Sequence, residues 1–195
     1  MNSGVWIKRE TAAMEKLGII GQETAIAKAA NLPNGVNHCF IPSGLDRKRL
    51  IKLAGESGVK VKFSSSPNRD GEGILTEAGI LECDLSAIMT LRGPDRWPFN
   101  LNADEHLLWA KDQGGDGLTS AEEAIYLLIR AYMAFGKIPF MDKWIRCRNY
   151  CGSGSGSQLL VGFWAGSGLR VRYGQGDHHS SDYGAVARKF TPLVV

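Results

Sequence analysis

The chain has 195 residues, 44% of them apolar and 22% charged, which is the balance of an ordinary globular protein. No apolar run approaches the roughly 20 residues of a membrane-spanning helix, so we expect no membrane span. The N-terminal residues show no basic start followed by an apolar stretch, and we therefore expect no signal peptide.

Four cysteines are spread through the chain: Cys39, Cys83, Cys147 and Cys151. A chain of this size can bury a core without disulfide staples, so we expect reduced thiols and a cytoplasmic location. Only Cys147 and Cys151 are close in sequence, and no second Cys or His pair at ligand spacing accompanies them. The sequence therefore predicts no metal site.

The net charge of +3 hides an asymmetry along the chain. Residues 1–136 carry 15 Lys and Arg against 17 Asp and Glu, a net charge of −2. Residues 137–195 carry 8 Lys and Arg against 3 Asp and Glu, a net charge of +5. The C-terminal third is thus the part that would attract phosphates or an acidic partner.

In the N-terminal half the pattern predicts short helices over 9–18 and 21–33, then a strand over 36–41. A helix over 42–58, with Ser43 as its cap, and an alternating strand over 59–63 follow. Residues 36–63 therefore predict a β-α-β unit whose strands are parallel in one sheet, directly or around a third strand. We expect a loop over 64–73, a strand within 80–91, and a Pro-rich connection over 93–100.

The C-terminal half begins with a predicted helix over 103–112. A longer helix over 119–135 has a capping box from Thr119 to Glu122 and a stop at Gly136. Alternating residues over 143–150 and 159–173 predict antiparallel strands. A two-residue turn at Gly166 and Ser167 would pair Phe163 with Arg170. Residues 152–157 alternate Gly and Ser as flexible coil, and we leave them out of functional reasoning.

These elements predict an α+β fold, with N-terminal helices and a β-α-β unit, and a long C-terminal helix packed on an antiparallel sheet. We expect one compact domain over 1–195, divisible into a lobe over 1–98 and a lobe over 99–195.

Two Arg-x-Arg pairs suggest a ligand surface. Trp144, Arg146 and Arg148 share one face of a strand, and Arg170 and Arg172 share one face of another. If the faces agree, four guanidinium groups stand together with Trp144 and Phe163, as in proteins that bind single-stranded nucleic acid. The leading hypothesis is therefore a binding protein for nucleic acid or another phosphate-rich ligand. Two alternatives stay open: an ordinary solvent face, and a surface for an acidic protein partner.

A second candidate is the cluster over 177–183, where Asp177, His178, His179 and Asp182 could serve a hydrolase or phosphodiesterase. Side chains in a row on one strand do not converge as a catalytic triad requires, and a polar loop is the simpler interpretation. His178 and His179 would then lie at the rim of the arginine surface. The basic run Arg47, Lys48 and Arg49 follows a possible anion-binding helix start, but no phosphate-binding glycine motif accompanies it. We therefore expect no cofactor.

Overall fold

The computed structural model describes residues 3–29, 38–63, 74–75, 77–83, 85, 88, 98–136, 143–150, 156–164 and 168–193. The chain folds as the predicted α+β protein. Its described helices are α1 (Ser3–Lys16), α2 (Glu23–Ala29), α3 (Arg47–Glu56), α4 (Ala103–Asp112) and α5 (Ala121–Phe135). Within this part of the chain, no helix combines the length and apolar character needed to cross a bilayer.

The described strands form three sheets. They are β1 (His38–Ile41), β2 (Leu45–Asp46), β3 (Val61–Phe63), β4 (Ile74–Leu75), β5 (Gly79–Glu82), β6 (Lys143–Tyr150), β7 (Ser157–Trp164), β8 (Gly168–Gln175), β9 (Tyr183–Ala185) and β10 (Phe190–Pro192). The largest sheet has the order β3-β8-β7-β6-β9, the second has the order β1-β5-β10, and β2 pairs with β4. Strands β6, β7 and β8 are antiparallel, whereas β3 and β9 join the edges in parallel.

Helix α5 is buried along most of its length and lies at the centre of the core. Its cap is Ser120, not the predicted Thr119: the Ser120 side chain accepts the Glu123 N–H, and the Glu123 carboxylate accepts the Ser120 N–H. The predicted stop is confirmed, because Gly136 adopts the left-handed conformation with φ of 63°. The capping box begins one residue later because the Thr119 N–H bonds to the Val186 carbonyl, which holds Thr119 outside the helix.

The order strand, helix, strand over 36–63 is confirmed in the described residues, but the predicted parallel pairing is wrong. Strand β1 pairs antiparallel with β5, and β3 pairs in parallel with β8 of the other sheet. Strand β3 reaches that sheet because Gly168, with φ of 79°, has no side chain to meet the Lys60 carbonyl. The Leu169 N–H then bonds that carbonyl at 2.7 Å. The cap of α3 is also corrected from Ser43 to Asp46, which accepts the Arg49 N–H.

The predicted register of the β7–β8 hairpin is wrong by one residue. Phe163 pairs with Leu169, not with Arg170, and Leu160 pairs with Arg172. The two-residue turn predicted at Gly166 and Ser167 lies outside the described residues. This register places Val161, Phe163, Leu169 and Val171 together in the main core, and burying these four apolar side chains on one face favours it.

Candidate functional site: the arginine face of the five-stranded sheet

Three of the four predicted arginines share the side of the sheet that faces away from the main core. We call this side the arginine face; its residues are Trp144, Arg146, Leu160, Arg170, Arg172 and Tyr183. Leu160 is paired with Arg146 on one neighbouring strand and with Arg172 on the other. Trp144 pairs with Tyr183 of β9. Because paired residues project to the same side of a sheet, these side chains form one surface.

Arg172 is held against two aromatic rings. Its guanidinium carbon lies 4.1 Å from the centroid of the Trp144 ring and 5.6 Å from that of the Tyr183 ring. One terminal nitrogen donates to the Tyr183 hydroxyl at 3.0 Å. Trp144 is only 2% exposed, so it supports the arginine from below and cannot itself stack on a base. Arg172 makes no salt bridge to any residue that the structure describes.

Arg146 is on the same face but is fully buried. Its guanidinium donates to the carbonyls of Gln175, Gly176 and His178 at 2.8–3.2 Å and lies 5.2 Å from the Tyr183 ring centroid. Burial lowers the pKa of Arg146, although the group stays protonated because its intrinsic pKa is so high. Arg146 therefore anchors a loop and is not exposed to a ligand.

Arg148 and Phe163 do not join the other predicted residues. The register of β6 against β7 shifts between Arg146 and Tyr150, so the paired rows that carry the other three arginines do not extend to Arg148. The Arg148 side chain is exposed, and its N–H bonds the Thr119 carbonyl. Phe163, placed among the arginines by the predicted register, lies in the main core on the opposite side and is 1% exposed.

Residues 176–182, which we call the histidine loop, form turns and not the extended strand considered from the sequence. The His178 ring meets the Tyr183 ring edge to face, with centroids 5.7 Å apart. His179 Nδ1 is 3.0 Å from the Asn100 carbonyl and 3.5 Å from the Glu105 carboxylate. The loop is thus attached to the arginine face through one histidine and to the start of α4 through the other.

Two polar side chains of the histidine loop, those of Asp182 and Ser180, have structural partners. Asp182 forms a 2.7 Å ion pair with Lys143, and the Ser180 hydroxyl accepts the Asp182 N–H at 3.1 Å. Asp177 is exposed. In the described part of the loop, no hydrogen bond joins a histidine to a serine or an aspartate side chain. The described residues also contain no group of three or more His, Cys, Asp or Glu that could hold a metal. The hydrolase hypothesis stays a prediction from the sequence.

Tyr183 is the residue of this face whose role the sequence did not reveal. Its place depends on the parallel pairing of β9 with β6, in which partners are about forty positions apart. An alternating stretch over 183–190 indicated a strand there, and β9 begins at Tyr183. Local alternation identifies such a strand but does not identify its neighbour.

No family model, no curated protein and no solved structure matches this chain.

Proposed function

We propose that the arginine face binds a phosphate-rich ligand through Arg170 and Arg172, with single-stranded nucleic acid as the first ligand to test. The observation that carries the proposal is the position of Arg172 on the Trp144 and Tyr183 rings, on the same side of the sheet as Arg170. A guanidinium held by stacking has already lost most of its rotamer freedom. It can therefore bind a phosphate at a lower entropic cost than a free arginine.

The surroundings support an anionic ligand. Residues 137–195 carry a net charge of +5, and of the two carboxylates in the histidine loop Asp182 is paired with Lys143 whereas Asp177 is exposed. Arg170 and Arg172 are two residues apart on β8, so their Cα atoms are separated by about 6.6 Å. That separation is close to the spacing of successive phosphates along a strand. The two arginines can therefore contact two neighbouring phosphates. His178, on the exposed histidine loop beside Tyr183, borders the proposed site.

The experiment is a salt titration of the affinity for a fluorescent oligothymidylate, measured by anisotropy. Two phosphate contacts on a single strand predict a slope of about −1.4 for log K against log salt concentration. Arg170→Met and Arg172→Met keep the apolar stem, and each should reduce the slope by about 0.7. Lys52→Met, which removes an exposed charge from α3, is the matched control and should leave the slope unchanged.

Two results of the titration would contradict the proposal. One is an absence of binding at the lowest salt concentration, and the other is an affinity that both methionine variants leave unchanged. Polyglutamate provides the comparison with an acidic protein partner. If it competes as well as the oligonucleotide, the face recognises carboxylates and the phosphate proposal is wrong.

A further inference from the structure

A cavity of about 390 Å³ is lined by described residues of α1, the end of α5, the start of β1 and the segment after β5, and none of them belongs to the arginine face. Its volume is within the range of small-molecule sites, about 300–1,000 Å³. The apolar part of its wall is Ala12, Ala13, Leu85, Met133, Ala134 and Phe135. Phe135 is 44% exposed and leaves an apolar rim at the opening.

The polar part of the wall is cationic. Arg9, Lys16 and Arg130 line the cavity with His38, and no Asp or Glu is among the described residues that line it. Arg9 and Lys16 belong to one stripe of α1: with Ala12 and Ala13 they follow the spacing i, i+3, i+4 and i+7, so two charges and two small residues face the cavity together.

The buried carboxylate of Glu10 lies behind this wall but does not neutralise its positive charge. Glu10 accepts from Arg130 at 2.8 and 3.0 Å and from Arg9 at 2.8 Å. Two cations therefore share one carboxylate, Lys16 makes no ion pair with a described residue, and the excess positive charge lies beside an apolar wall. Arg9 uses its Nε for Glu10 and its Nη2 for the His38 carbonyl, while its Nη1 makes no hydrogen bond to a described residue.

We propose that this cavity is a binding site for a small amphipathic carboxylate. The carboxylate would take a charge-assisted hydrogen bond from Arg9 and the charge of Lys16, and the apolar body would lie against Met133, Ala13 and Phe135. Charge complementarity selects an anion over a cation of the same shape. The small side chains at Ala12 and Ala13 leave the space for its apolar part. The site is separate from the arginine face, so neither proposal depends on the other.

The test is isothermal titration calorimetry of the full chain with octanoate and with octylamine, which differ in the sign of the head group. Octanoate should bind saturably at one site, and octylamine at least tenfold more weakly. Lys16→Gln should weaken octanoate binding about twofold to fivefold, because an exposed charge contributes up to about 1 kcal/mol. Lys8→Gln is the matched control on the same helix; Lys8 does not line the cavity, and its replacement should leave the affinity unchanged.

A steric variant separates the cavity from general attraction to positive charge. Ala12→Trp places a large ring at the opening without changing the charge and should abolish octanoate binding. Ala27→Trp, at an exposed position of α2, should not affect it. Circular dichroism melting of each variant confirms that it is folded. Equal binding of octanoate and octylamine, or full binding by the folded Ala12→Trp variant, would overturn the proposal.

Discussion

Glu10 of α1 is fully buried, and its carboxylate joins α1 to α5 and to β1. It accepts hydrogen bonds from Arg130 and Arg9, and from the backbone N–H of Phe40 at 3.0 Å. Burial alone would raise the pKa of Glu10, but the charges of Arg130 and Arg9 and these hydrogen bonds outweigh burial and lower the pKa below its ordinary value. The ionised form is therefore the one that the fold requires.

Glu10→Gln removes the charge and keeps the shape. Arg130 is 3% exposed, so its guanidinium would remain buried without a compensating carboxylate. Breaking a buried pair in this way costs about 3–5 kcal/mol, a large share of the roughly 5–15 kcal/mol that stabilises a typical domain. Because the pKa of Glu10 is lowered in the folded state, its stabilising effect is present above about pH 4.5 and is lost as the pH falls. The Glu10→Gln variant has no carboxylate to protonate at this position, so this loss of stability as the pH falls should be absent.

Urea denaturation followed by circular dichroism measures the effect. The double variant Glu10→Gln/Arg130→Met should be more stable than the sum of the two single variants predicts, by at least about 1 kcal/mol, because it leaves no unpaired charge. Glu56→Gln breaks an exposed pair with Lys52 at 3.6 Å and should cost no more than about 0.5 kcal/mol. A loss below 1 kcal/mol in Glu10→Gln, or strict additivity in the double variant, would refute the reasoning.

Three further predictions concern stability. Burial lowers the pKa of His106 to about 4 from an ordinary value of 6.5, so stability should fall by up to about 3 kcal/mol as the pH drops between these values. His106→Gln should flatten that part of a plot of urea midpoint against pH. Gly168→Ala should lower the melting temperature more than Gly136→Ala, since both have positive φ but only Gly168 has backbone in the way of a Cβ atom. Ser120→Ala should lower the free energy of unfolding in urea by about 1 kcal/mol. Thr119→Val should leave it unchanged, because the buried Thr119 hydroxyl has no partner in the described structure. A larger loss from Thr119→Val than from Ser120→Ala would show that Thr119 is the cap after all.

The elements that the sequence predicted well are those that depend on local chemistry. Helix α5 has apolar residues at helical spacing, acidic residues in its first turn and a glycine stop, and it was found within two residues of its predicted bounds. Strands β6, β7 and β8 were predicted from alternation alone, and the structure contains them. The same reasoning found Gly136 because a helix end needs a left-handed residue.

The errors concern contacts between distant parts of the chain. The strands β1 and β3 looked like partners because a helix joins them, but each pairs with a strand from elsewhere in the sequence. No local pattern identifies such partners. The hairpin register failed for a related reason: both faces of β7 are buried, so its apolar residues did not indicate which face lies on the main core.

The candidate site was predicted in part. Alternation puts Arg170 and Arg172 on one face of β8, and the observed pairing of β6, β7 and β8 adds Arg146 to that side, which the sequence left as a condition. The burial of Arg146 was not foreseen, because it depends on three carbonyls of a loop that folds back onto β6. The sequence does not distinguish an arginine whose guanidinium bonds to the protein's own carbonyls from an arginine that can bind a ligand.

The most direct test of the arginine face observes its guanidinium groups during binding. Nitrogen-15 NMR of the arginine Nε–H resonances, recorded during titration with the oligothymidylate, should show shifts for Arg170 and Arg172. Arg47 and Arg130 are bound to buried carboxylates and should not respond. Shifts confined to Arg170 and Arg172 are the result that we predict. An Arg172 resonance that stays unchanged at saturating oligonucleotide would contradict the account.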